Sequence, residues 1–295
     1  VEAEAVNERL RPLLLACAGA GVLSLGGLVW LARDLVASPG NAGGRASLLD
    51  ILDEVRQGRP VQDRPRRPAP APPDHSSWLT PLAGRCAAPD PALVKRMQDL
   101  AATLEQRRMR VRIDPSNYGQ RFQADTFGNP VDPSPRVVVL HETVFGLRSA
   151  LNTFVTPHPR DEDQVSYHTL IGERGEIVDT VAPEDRAFGA GNSAFDGRWV
   201  VTNPRVGGSI NNFALHLSLE TPVDGEDAEP EHSGYSEAQY DALAVVLSDW
   251  MRRFPIDVRR ITTHRHVDLN GERADPRSFD WAELGTRLRA LGINC

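Results

Sequence analysis

Val137-Val138-Val139-Leu140-His141-Glu142-Thr143 is an apolar run that stops abruptly at a polar cluster. The run follows Pro135-Arg136, is mostly β-branched, and reads as a short strand buried on both faces. A histidine stands at its exit. That is where an open α/β sheet places its chemistry, because strand ends are rigid while the loops beyond them leave room for a ligand. A single histidine in such a place is more often structural than functional, so its meaning depends on what the rest of the chain brings to it.

Downstream, Gly146 to Phe154 is expected to be helical, and Val165 to Val181 reads as a hairpin turning near Glu173-Arg174-Gly175. Phe213 to Thr221 alternates, with Phe213, Leu215, Leu217 and Leu219 on one side and Ala214, His216, Ser218 and Glu220 on the other, so one sheet face is expected to be polar. Ser236-Glu237-Ala238-Gln239 is a capping box that opens a long helix reaching Phe254. Arg260 to His264 is a second strand ending in histidine. Asp280 to Leu291 reads as a closing helix, capped by Asp280 and stopped by Gly292.

Upstream, Asp90-Pro91 opens a helix predicted to run through Arg108, with Leu93, Met97, Leu100 and Leu104 as its apolar stripe. The stretch from Asp114 to Pro135 is rich in Gly, Pro, Asn and Asp and is expected to be looped. From Leu13 to Ala32 no residue is charged. As a helix that run would rise roughly 30 Å, enough to cross a bilayer, and it is too long for an ordinary signal-peptide core. Arg9 and Arg11 before it favour a cytoplasmic N-terminus with the remainder exported. Leu48, Ile51, Leu52 and Val55 suggest a short helix, and residues 59–77, dense in Pro and Arg, read as a polyproline-like spacer. The expected organisation is an anchor or signal segment over 1–36, a short helix and linker over 37–77, and a folded domain over 78–295 with its core at 136–291.

Of 295 residues, 25% are charged and 40% hydrophobic, a balance that allows a proper globular core. A net charge of -7 argues against a nucleic-acid partner. The three cysteines, Cys17, Cys86 and Cys295, are too scattered for a cysteine-only zinc site. Cys86 and Cys295 either staple the two ends of the folded domain in an oxidising compartment or stand as free thiols.

Two strands thus end in histidine, His141 and His264, and Asp275 follows in Glu272-Arg273-Ala274-Asp275-Pro276-Arg277. Two imidazoles and a carboxylate are enough for a catalytic zinc, which takes three protein ligands and keeps an open position for water. Spacing between such distant residues is weak evidence by itself, and His266 competes with His264 as a ligand.

Five ordered segments add weight: Val139-Leu140-His141-Glu142-Thr143, Val165-Ser166-Tyr167-His168-Thr169-Leu170-Ile171, Ala187-Phe188-Gly189-Ala190-Gly191-Asn192, Asn211-Asn212-Phe213-Ala214-Leu215, and Thr263-His264 with Asp275-Pro276. Together they resemble the zinc-dependent N-acetylmuramoyl-L-alanine amidases of the amidase-2 type, relatives of peptidoglycan recognition proteins and phage amidase-type lysozymes. The resemblance covers roughly residues 136–281. It implies an α/β (α+β) fold with a single mixed central sheet flanked by helices, Zn2+ held by His141, His264 and Asp275, and hydrolysis of the amide between N-acetylmuramic acid and L-alanine.

The same resemblance makes Tyr167 a candidate donor to the oxyanion. It puts Arg273 where relatives often carry lysine, a charge that can stabilise an oxyanion but cannot act as a base. Ser218 stands where many bacterial members have glutamate and recognition proteins often have serine; Glu220 and Glu142 are replacement candidates for the missing base, and a serine-type strand working with Tyr167 is the simpler reading. Gly189 replaces a frequent histidine, and His168 and His216 are read as structural or as partners of a zinc ligand. The expected partners are peptidoglycan or muropeptides and, through the N-terminal helix, a membrane. A monomer is expected, with the catalytic domain on the exported, periplasmic side of the cell envelope. Two other readings compete: a peptidoglycan-binding recognition module with little hydrolysis, and an unrelated zinc hydrolase.

Overall fold

The computed structural model describes residues 66–83, 87–204, 207–227 and 229–293. The apolar run at Leu13 to Ala32, the short helix near Leu48, Cys86 and Cys295 lie outside the described residues. Among the described residues no helix is long and apolar enough to cross a membrane.

The quoted stretch becomes β3, Val137–Glu142, and every one of its residues is buried. β3 lies inside a six-stranded mixed sheet. With β1 as Arg108–Arg110, β4 as Thr169–Ile171, β5 as Ile177–Asp179, β9 as Ala214–Leu219 and β10 as Ile261–Thr263, the order is β1-β5-β4-β9-β3-β10. β4, β9, β3 and β10 run parallel, while β5 turns back antiparallel to β4 as the expected hairpin. Parallel strands buried on both faces read as continuous apolar runs, which explains the lack of alternation in Val137 to Leu140. Two small ribbons lie apart from this sheet: β2 (Tyr118–Gln120) with β6 (Asp185–Ala187), and β7 (Val200–Asn203) with β8 (Gly207–Ser209).

Helices cover one face. α1 (Pro91–Ala102), α4 (Glu237–Arg253) and α6 (Trp281–Ala290) pack there, and Val138, Leu140, Leu215, Leu217 and Leu219 of the sheet meet Leu243, Leu247, Trp250, Leu284 and Leu288. Each such side chain contributes about 1.5–3 kcal/mol by leaving water. The caps are as the sequence indicates. Ser236 and Gln239 close a reciprocal box at α4, Asp280 caps α6, and Gly292 takes the left-handed φ of +75° that ends it.

Several boundaries differ from expectation. The first helix breaks at Thr103, and after the single turn of α2 (Leu104–Arg107) the chain enters edge strand β1 at Arg108. The Arg108 side chain is nearly buried between Asp179 and Asp249, at 2.8 and 3.0 Å, and that pairing holds the edge. Phe213 precedes β9 and packs with Ala214 in the second core cluster, instead of sharing the leucine face. The Pro-rich spacer is drawn onto the domain from Arg67 onward. Arg67 donates to Phe127 O, Asn129 donates to Arg67 O, and the Trp199 indole donates to Pro70 O at 2.9 Å. The folded unit therefore begins earlier than Trp78.

Candidate metal centre

Strand register brings the two histidines together. β10 pairs with β3 so that Thr263 lies beside Leu140, which places the next residue, His264, against His141 at the same sheet edge. His264 is not the last residue of a strand; it opens α5, the single turn His264–Val267, whose N-cap is the Thr263 side chain. Their ring centroids are 4.5 Å apart. Arg265 N donates to Asp275 O at 2.9 Å, and this bond pulls the later loop back over the strand ends. Asp275 Oδ1 lies 3.0 Å from His264 Nδ1, and its Oδ2 lies 3.3 Å from His141 Nδ1. One donor atom from each of the three residues falls within 4.8 Å of the others.

His141 is fully buried, and among the described residues its Nδ1 meets only Asp275 Oδ2, at 3.3 Å. A buried ring nitrogen beside a second imidazole and a carboxylate is what a nitrogen and oxygen zinc shell requires. Burial, aided by His264, depresses the His141 pKa to about 4, so the ring is neutral and has a lone pair to give. Burial would raise the Asp275 carboxyl, but its contacts with His141 and His264 outweigh that and hold it well below the usual carboxylate range.

The other sequence candidates separate. Tyr167 stacks on His141 with centroids 4.4 Å apart and planes 24° apart. Burial and the charge of Asp275 raise its pKa, so the phenol keeps its proton. Arg273 is exposed on the loop before Asp275, its main chain held by Asp268 Oδ2 at 3.1 Å. Its charge reaches both His141 and Tyr167. Glu220 is drawn elsewhere. Its Oε1 accepts from Leu147 N at 2.5 Å, at the start of α3 (Leu147–Val155), and its Oε2 accepts from Glu173 N at 2.8 Å in the hairpin turn. Both oxygens of this candidate are thus engaged by backbone amides.

Glu142 follows strand alternation to the opposite face. There it accepts from Tyr235 OH at 2.6 Å, from Arg277 N at 2.8 Å and from Arg277 Nε at 2.5 Å, with His232 Nε2 at 3.3 Å. Ser218 pairs with His141 across the strands and is fully buried, and its hydroxyl has no partner among the described residues. His266 is not a ligand of this cluster. Because α5 is helical, strand alternation does not apply there, and the ring packs against His75 and Trp78, each at 4.7 Å. Sequence reasoning passed over Tyr235 and Arg277, which clamp the Asp275 loop through Glu142; Arg277 stands two residues past the candidate ligand, and that was its only signal.

A sheet-edge pair of imidazoles with one carboxylate, beside a protonated phenol, is a site of the kind metal-dependent hydrolases use. Residues 127–278 match the model of the N-acetylmuramoyl-L-alanine amidase family, and the chain belongs to that family. It is 34% identical over 128 residues to the 1,6-anhydro-N-acetylmuramyl-L-alanine amidase AmpD of Citrobacter freundii, over 43% of this chain and 57% of that relative. The Haemophilus influenzae AmpD is 27% identical over 176 residues, which are 58% of this chain and 74% of the relative. The chain thus spans little more than half the length of its Citrobacter relative. Among solved structures, a selenomethionine derivative of AmpD aligns with 61% of this chain and 92% of its own at 27% identity, with a TM-score of 0.43.

Proposed function

We propose that this chain is a zinc amidohydrolase that cleaves the amide joining the lactyl group of N-acetylmuramic acid to L-alanine in peptidoglycan or its muropeptides. The observation that carries the reading is the convergence of His141, His264 and Asp275, from three separate elements, on one buried point. The relatives named above are amidases of the same kind of bond, which supports the substrate class. Held by His141, His264 and Asp275, zinc would supply Lewis-acid chemistry for the scissile carbonyl and the activation of water at neutral pH.

The chain's own residues do the remainder. Tyr167, protonated and stacked on His141, donates to the oxygen that becomes negative when the carbonyl is attacked. Arg273 stays charged at the rim and favours the same developing anion. Asp275 holds its negative charge beside the two imidazoles. We assign Glu220 to capping α3 and the hairpin turn, because both its oxygens already accept backbone hydrogen bonds.

The uncharged run from Leu13 to Ala32, preceded by Arg9 and Arg11, supports placing this domain outside a membrane to which the chain is anchored. The proposed substrate is at hand there. Protease accessibility of the domain in intact cells, with outer layers removed, tests that placement; protection would overturn it.

Activity is tested by incubating the zinc-loaded chain with purified muropeptides, in both anhydro and reducing-end forms. Free stem peptides should appear, vanish on chelation and return with zinc, and His264→Ala should release none. Binding without release would refute the enzyme and favour a recognition module, the reading that Ser218 and Arg273 motivate.

A further inference from the structure

The far side of His141 carries the inference. Its Nε2 lies 3.0 Å from His216 Nδ1, and both rings are fully buried. We infer that His216 is the positioning residue of the metal centre: it accepts the His141 Nε2 proton and so holds the His141 Nδ1 lone pair toward His264 and Asp275. This rests on the metal reading above and goes beyond it, because it explains how one of two equivalent tautomers is selected.

If His141 Nδ1 is the metal ligand, each proton follows in turn. A neutral imidazole carries one N–H and one lone pair. His141 can offer Nδ1 to a metal only if its proton is on Nε2, and the one acceptor there is His216 Nδ1. His216 then carries its own proton on Nε2, which is buried and has no partner among the described residues. The next histidine in the chain of contacts has its tautomer fixed independently. His216 N donates to His168 Nδ1 at 2.9 Å, so His168 is protonated on Nε2, which donates to Asp185 O at 3.3 Å. Arg121 Nη2, also 3.3 Å from that nitrogen, directs its hydrogens to Pro183 O and Ala214 O, each at 3.0 Å. His168 N also donates to His216 O at 2.9 Å, so the backbone of His216 is held from both sides.

A second observation shows that the ring position is built in. A Cβ placed on Gly189 would lie 2.4 Å from both Cγ and Nδ1 of His216. Real side-chain carbons do not approach that closely, so the absence of a side chain at 189 makes the slot for this ring. The buried Nε2 proton without a partner costs stability. A residue chosen only for packing would not carry that cost, whereas one chosen as acceptor for a ligand would.

The experiment measures zinc affinity of the full chain by competition with a chelating dye, with circular dichroism reporting the fold. His216→Leu fills the slot without an acceptor and should weaken zinc about 10- to 100-fold, the usual cost of losing a ligand's outer partner. His216→Asn places Oδ1 where Nδ1 stood and should bind close to wild type. Gly189→Ala should weaken zinc as His216→Leu does, and combining the two should add no further loss. Nitrogen-15 shifts should show His141 protonated at Nε2 in the zinc-loaded wild type. A folded His216→Leu with wild-type affinity would overturn the inference while leaving the metal reading standing. Failure of the wild type to take zinc would overturn both. If His216→Leu does not fold, the Gly189→Ala and His216→Asn affinities decide: weak and near wild type support the inference, and any other pairing sinks it.

Discussion

On one face of β3 and β9, Leu140, Leu215, Leu217 and Leu219 interlock with α4 and α6; on the other, the polar side chains of His141, His216 and Ser218 lie equally buried. The first face gains free energy from every side chain it hides. The second spends some, since Ser218 Oγ and His216 Nε2 are buried with no partner among the described residues. The contrast shows where the fold is secured and where it holds groups ready for a ligand. The two faces share a backbone, so the leucine face gives the histidine face its rigidity.

That contrast can be broken from either side. His264→Ala should have the largest effect, cutting amide hydrolysis more than about a hundredfold, beyond the loss from an outer partner, while the thermal midpoint of the metal-free protein barely moves. Calorimetry and peptide release together would check this; an active, zinc-bound variant would end the metal assignment. Leu217→Ala should do the reverse and cost about 2–5 kcal/mol in denaturant unfolding, with zinc affinity per folded molecule unchanged.

Two milder substitutions sharpen the comparison at its borders. Glu142→Gln, on the leucine face, strips the charge that Arg277 and Tyr235 share and should cost about 1.5–3 kcal/mol. Because Arg277 lies two residues from Asp275, the zinc affinity should fall as well. Glu220→Gln should have the smallest effect: it keeps an acceptor for the amides of α3 but loses the favourable charge there, worth about 0.3–1 kcal/mol. Peptide release should stay near wild type, and a collapse of turnover without a change in stability would restore Glu220 as the proton carrier.

Much of this was legible because it is local. The β-branched run at Val137, the Ser236 capping box, the turn at Glu173 to Gly175 and the Gly292 stop are decided by neighbours a few residues apart, and all stand in the fold. The break at Thr103 and edge strand β1 were not legible, because Arg108 is held by Asp179 and Asp249, carboxylates far along the chain. Alternation separated Leu217 from the polar Ser218 and His216 but says nothing of their burial, and both are buried.

The sequence by itself determined which residues could make a metal site: histidines at strand ends and one carboxylate before a proline are matters of residue type and local pattern. Tertiary structure alone decided how they are used. Parallel register set His264 against His141, backbone amides engaged both Glu220 oxygens, and the empty space at Gly189 admitted the His216 ring behind His141. The reason is physical: residue chemistry is intrinsic, but a ring's tautomer, a carboxylate's partners and the distance between donors depend on groups that meet only when distant strands pair.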